Sequence, residues 1–201
     1  GILQFRSQGL GDAANQLGLV QTLASHNFNS LHSEGVDLNG LSGGDFFTSI
    51  NDRDSQLFRA KSAIANKGSS VVSVSIDDPS VLVASDYALE LSQAGNLLAF
   101  SITRQSDGAV INSGAIPNSF PQSLSVTDGF MVNLESGDFQ AGDKFILSPA
   151  RLSPSSVERL VADPASLALG LPVSTSEGVG NLGSGAISQV ESLASGLNSL
   201  A

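Results

Sequence analysis

Apolar residues recur at two different periods along this chain, and the change between them divides it. Over residues 1–33, Leu3, Leu10, Leu17, Ala24 and Leu31 return every seven residues. Ala13 and Val20 fall three residues after Leu10 and Leu17, and Ala14 and Phe28 four after Leu10 and Ala24, on the same stripe. That spacing predicts a long amphipathic helix. The opposite face carries Asp12, Asn15, Gln16, Thr22 and Asn29. Gly9, Gly11 and Gly18 each weaken such a helix by about 1 kcal/mol relative to Ala, so it needs a partner. The pattern alone supports equally a helix packed on its own domain and a segment of a bundle or coiled coil.

From Glu34 the helical period stops. Gly35 is placed to end the helix in a left-handed conformation, and Asp37, Asn39 and Gly40 supply turn chemistry. Residues 34–57 are expected to form a loop, closing on Gly44, Asp45, Phe46 and Phe47. Residues 58–148 then alternate at the period of a strand. Ser70–Ile76, Tyr87–Leu91, Leu97–Thr103, Ala109–Ile111, Gly129–Leu134 and Lys144–Leu147 are the expected strands. The turn candidate Gln93-Ala-Gly-Asn96 makes a hairpin of the second and third. Turn signals at roughly ten-residue spacing favour a small antiparallel sandwich or barrel. Asp77–Leu82 is a helical turn or loop between strands.

The last part changes again. Ser153 and Pro154 are an N-cap and first helical residue; residues 170–185 form a Gly/Ser/Thr-rich linker. From Ser184, Ile187, Val190, Leu193, Ala194, Leu197 and Leu200 share a helical stripe. The fold class is therefore α+β: a β-rich antiparallel sandwich or barrel-like domain inserted between N- and C-terminal helical segments. The parts are residues 1–57, 58–150 and 151–201. The terminal helices can pair as a shaft from which the insert projects.

Composition narrows what such a chain does. Net charge is −10 with nine Lys plus Arg, which argues against a nucleic-acid backbone as partner. No apolar run approaches the roughly 20 residues of a membrane span, and no basic amphipathic face suits a membrane surface. Cysteine is absent, which removes disulfides, thiolate metal sites and a Cys nucleophile. The charged fraction is 14%, low for a cytosolic enzyme. The chain starts Gly-Ile-Leu-Gln without Met or a signal-peptide pattern, as expected of a processed or excised segment.

Candidate chemistry is sparse. Counted from Asp37, a calcium loop needs ligands at its fifth position, Gly at the sixth and Glu at the twelfth, where this chain has Leu41, Ser42 and Thr48. His26 and His32, six apart on a helix, cannot share a metal; His32 is placed for capping or loop packing. Gly178-Val-Gly180-Asn-Leu-Gly183 follows no predicted strand and is linker glycine rather than a dinucleotide turn. No nucleophile, base and orienting group assemble. No catalytic, cofactor-binding or metal residue and no cofactor is assigned.

Three spaced elements carry a resemblance: Leu10-Gly-Asp-Ala-Ala-Asn-Gln-Leu-Gly18, Leu23-Ala-Ser-His-Asn-Phe-Asn29, and His32-Ser-Glu-Gly-Val-Asp-Leu-Asn-Gly40 closing on Gly43-Gly-Asp-Phe-Phe47. Together they resemble the middle of the bacterial flagellar hook-associated family of the first hook–filament junction zone (the FlgK family). Gln16 interrupts that family's Asn-Leu-Gly step. Asp86-Tyr-Ala-Leu-Glu-Leu91 and Asp163-Pro-Ala-Ser-Leu-Ala168 extend the likeness thinly. The resemblance implies a non-catalytic structural subunit joining hook to filament, exported by the flagellar type III apparatus without a cleaved signal peptide to the extracellular flagellum. Its partners would be other copies of itself, hook protein, a neighbouring hook-associated protein and, for the full-length protein, an export chaperone. It also implies that Asn29, His32, Gly35, Asp37, Gly40, Gly44, Asp45, Phe46 and Phe47 form a structural motif, and that the isolated fragment is monomeric. The competing reading is a cell-surface β-sandwich binding or adhesion module; one Tyr and no Trp supply a sugar-stacking face poorly.

Overall fold

The computed structural model describes residues 9–151 and 157–170, with the backbone of 173–174 and 191–192. Helix α1 spans Leu10–Glu34 and α2 Arg53–Phe58. The strands are β1 (Ala60–Ser62), β2 (Val71–Ile76), β3 (Tyr87–Ala94), β4 (Leu97–Arg104), β5 (Val110–Pro117), β6 (Gln122–Val126), β7 (Phe130–Ser136) and β8 (Lys144–Leu147). The chain divides into two units: residues 1–26 with 48–158, and residues 27–47 with 159–201. Helix α1 contributes to both.

The first unit is an antiparallel sandwich. One sheet has the order β1-β8-β3-β4-β5 and the other β2-β7-β6. The expected β architecture holds as a sandwich; the two sheets do not close into a barrel. Alternation made this legible. Tyr87, Leu89 and Leu91 of β3, Leu98, Phe100 and Ile102 of β4, and Phe130, Val132 and Leu134 of β7 point into one core. Tyr87 meets Phe130 edge-on at 4.8 Å between ring centres. Burying side chains of this kind contributes about 1.5–3 kcal/mol each. The β3–β4 hairpin turns at Gly95, whose φ is 62°.

β1 and β6 had no sequence signal of their own, and β5 had one only over Ala109–Ile111. β5 extends to Pro117 because it pairs with β4 along its length, not because it buries much. β6 completes the smaller sheet against β7 through Leu124 and Val126. β1, Ala-Lys-Ser, is defined only by its pairing with β8.

The expected loop 34–57 contains α2. Asp52 caps it by accepting from the N–H groups of Asp54 and Ser55, the side-chain oxygen satisfying donors that have no helical partner. Pro79–Val81 is a short 3-10 turn, as expected of Asp77–Leu82. The helix expected at Ser153 lies outside the described residues, as does most of that expected from Ser184. At Glu191 and Ser192 the chain is extended and pairs with Ser174 and Val173. A run of apolar residues three to four apart does not exclude a bridge where Gly and Ser weaken the helix between them.

The face of α1 is the main correction. Leu10, Leu17, Val20 and Leu31 are 57%, 61%, 63% and 70% exposed. Asn15, Thr22, Ser25, Asn29 and His32 are buried instead, with Gly18 between them. Small and polar side chains allow the helix axis to come close to neighbouring backbone. In the first unit a Cβ on Gly18 would lie 2.4 Å from the Ala150 carbonyl oxygen, and Thr22 donates its hydroxyl to that carbonyl at 3.4 Å. Leu10, Leu17, Val20 and Leu31 of the stripe are therefore left facing outward, whereas Phe28 packs on Phe46 and Phe47.

Candidate functional site

The motif residues converge in the second unit. Asn29 sits on the buried side of α1, one turn before His32. Its Oδ1 accepts from the backbone N–H groups of Phe46 at 3.0 Å and Phe47 at 2.8 Å, and its Nδ2 donates to the Phe47 carbonyl at 2.9 Å. One amide side chain thus serves both directions of the returning backbone, its oxygen accepting twice and its nitrogen donating. His32, 3% exposed, contacts the Gly44 carbonyl through Nδ1 at 2.7 Å, and its Nε2 accepts from the Ala168 N–H at 3.0 Å. A carbonyl only accepts and an amide only donates, so the ring is the neutral tautomer with its proton on Nδ1.

Around these bonds stands an aromatic cluster. Phe28 lies 4.7 Å from Phe46 and 5.5 Å from Phe47 between ring centres, and Phe46 meets Phe47 edge-on at 4.8 Å. His32 is 5.6 Å from Phe46. The loop continues into segment 159–170: the Leu160 N–H donates to the Phe46 carbonyl at 2.7 Å, and Phe47 bridges Arg159.

Gly35 is required for a different reason from the one its sequence position indicated. It is not left-handed. A Cβ there would lie 2.1 Å from the Ala168 carbonyl oxygen, so the glycine admits a crossing strand of backbone. Beside it Val36 and Gly170 exchange backbone hydrogen bonds at 3.2 and 3.0 Å. Gly43 is equally confined, since a Cβ there would lie 2.0 Å from the His32 carbonyl oxygen, whereas a Cβ on Gly44 or Gly40 would meet open space. Gly40 has the positive φ, 78°.

Asp37 organises the turn. Its Oδ1 accepts from the N–H groups of Asn39 and Leu41, each at 2.8 Å. The Leu41 N–H, with the Asn39 amide, holds its carboxyl below the ordinary value. Asp45 is exposed and enters none of these bonds. Among the described residues no group of three or more His, Asp or Glu is arranged to hold a metal, and no helix is long and apolar enough to cross a membrane. These bonds hold the loop of residues 35–47 and segment 159–170 against the end of α1.

The first unit holds polar clusters that the sequence did not announce. Arg59, fully buried, donates to the carbonyls of Ile50, Val74 and Arg151 at 2.6, 3.3 and 3.0 Å. Burial pulls its guanidinium down to about 10, still charged at neutral pH. Arg151 joins Asn15 of α1 at 2.8 Å to Asp86 at 2.8 Å. Tyr87 donates to Asp128 at 2.6 Å, and Arg104 pairs with the same carboxylate at 2.7 Å. Burial and that carboxylate push the Tyr87 phenol up. An isolated Arg has no sequence signature that separates a buried clamp from a surface charge.

Comparison places this frame of helix, lock and sandwich beside proteins of the flagellar hook junction. Residues 1–47 match the family model described as the flagellar hook-associated protein FlgK helical domain. The chain is similar to flagellar hook-associated protein 1 of Escherichia coli (strain K12), 28% identical over 165 residues. It is also similar to flagellar hook-associated protein 1 of Salmonella typhimurium, 26% identical over 176 residues. These alignments cover 79% and 84% of the chain, which spans only 29% and 28% of those relatives' lengths. The solved structure of the flagellar hook junction protein FlgK from Burkholderia pseudomallei superposes with a TM-score of 0.68 and 29% identity, over 84% of this chain and 28% of that one. The resemblance expected from residues 10–47 thus extends through the sandwich.

Proposed function

We propose that this chain is a section of a non-catalytic structural subunit that joins hook to filament in the bacterial flagellum. The observation that carries the reading is the collinear likeness to FlgK in fold and sequence over 84% of the chain. In this reading the protein is exported through the flagellar type III apparatus and acts outside the cell. Its partners are copies of itself, hook protein and a neighbouring hook-associated protein, with an export chaperone before assembly. Asn29, His32, Gly35, Asp37, Gly40, Gly44, Asp45, Phe46 and Phe47 serve as a structural motif that fixes how the chain leaves α1, and bind no ligand. The exposed apolar stripe of α1 supports it, because a helix that buries its polar face keeps its apolar one for association.

The test is deletion of the gene encoding the parent protein, followed by electron microscopy. Hooks without filaments, with flagellin shed into the medium, are expected. Normal filaments in the deletion strain would overturn the reading.

A further inference from the structure

We propose that the turn around Ile64 of one copy of this chain docks into the leucine-lined grooves beside Leu169 of a second copy. This deepens, and rests on, the reading that the protein assembles with copies of itself. Two grooves flank Leu169 in the second unit and share it as a common wall. One, of about 270 Å³, is lined by Phe28, Leu31, Ala168 and Glu34. The other, of about 530 Å³, is lined by Val36, Leu38, Leu167 and Asp37. Leu31, Leu38 and Leu169 are 70%, 84% and 74% exposed, a continuous apolar surface of the kind that marks association sites.

Charge selects the occupant. Glu34 borders one groove and Asp37 the other. Within residues 27–47 and 159–170 of this unit the acids are Glu34, Asp37, Asp45 and Asp163, and Arg159 is the lone Lys or Arg. Two such surfaces face to face would oppose acid to acid. The occupant must therefore be apolar at its tip and basic at its flanks. The end of β1 and the turn after it have that chemistry: Ile64 is 106% exposed, and Lys61 of β1, whose ammonium lies over the Phe58 ring, and Lys67, three residues to either side, are both exposed. Ile64 enters beside Leu169, and the two ammonium groups lie toward Glu34 and Asp37. Knob and groove are different surfaces, so the contact is heterologous, and repetition gives a ring or an open helical array. One side chain and two exposed ion pairs bury far less than a standard specific interface. The contact forms where subunits are already held side by side, and is fleeting between free chains.

A chain without cysteine permits a clean trapping experiment. Ile64→Cys and Leu169→Cys variants of the whole chain are mixed and oxidised, and disulfide-linked dimer is measured on a non-reducing gel. Several-fold more dimer is expected than from Ile64→Cys mixed with Ser113→Cys, an exposed control. Glu34→Lys on the groove chain lowers the excess, and Lys61→Glu or Lys67→Glu, made singly on the knob chain, restores it. Dimer no greater than the control overturns the proposal. So does a Leu-Lys peptide that shifts the groove amide resonances while the cysteine pair stays unlinked, since the groove then takes another partner. If the parent gene carrying Ile64→Asp still supports filaments and the pair stays unlinked, this contact falls and the junction reading stands.

Discussion

Asn29, His32 and Gly35 show how single residues fix the path of a chain by what they cannot be replaced with. Asn29 offers an acceptor and a donor within one amide, matched to two N–H groups and one carbonyl of Phe46 and Phe47. Removing it leaves buried backbone groups unmade, each worth about 1–3 kcal/mol. Gly35 is confined by the Ala168 backbone, and Gly44 is not. Gly35→Ala is therefore expected to lower unfolding free energy by about 1–3 kcal/mol, whereas Gly44→Ala stays within about 0.5 kcal/mol. Urea denaturation followed by circular dichroism checks the pair. Equal effects would mean that the crossing of Gly35 and Ala168 does not constrain the fold.

At the scale of elements, α1 inverts the usual rule that apolar stripes face inward. Its spacing made the helix legible, but not which face was buried. Two stripes of period near 3.5 run along it, one of leucine and one of Asn, Gly, Thr and Ser. Periodicity measures regularity, and both are regular. What decided was the carbonyl of Ala150, which approaches too closely for a Cβ at position 18. Thr22→Leu is expected to destabilise the isolated chain by about 1–3 kcal/mol through overpacking. Leu17→Glu, on the exposed stripe, is expected to change it by no more than about 0.5 kcal/mol. Thermal melts of both variants test which face is buried. Strands show the converse: β3, β4 and β7 were readable because each alternates against one core, while β1 and β5 exist through their neighbours' hydrogen bonds.

Charged residues make up only 14% of the chain, and few ion pairs form among the described residues, so acid stability has identifiable sources. Arg53 donates two hydrogen bonds to Glu135, at 2.5 and 2.6 Å, with Ser73 adding a third. The Arg53 guanidinium, and after it Ser73, hold the Glu135 carboxyl down to about 2. A carboxylate depressed on folding stabilises above its unfolded value, near 4.5, and loses that contribution as pH falls through about 2. Arg53 is 55% exposed, so solvent screening keeps the gain small. Glu135→Gln should flatten the fall in stability between pH 4.5 and pH 2, measured by denaturant midpoints across that range. An unchanged acid limb would show that the pair contributes nothing.

By itself the sequence determined the long helix, the turn at Asp37–Gly40, the alternating strands and the order of motifs from Asn29 to Phe47. These are local properties: periodicity, turn stereochemistry and the spacing of side chains along one chain. Tertiary structure alone decided that α1 buries its polar stripe, that Gly35 serves close approach and not left-handedness, and that Arg59 and Arg151 are clamps. It also decided that two sheets stack without closing. Each of these depends on backbone distant in sequence arriving within a few ångströms, and no local pattern records what arrives.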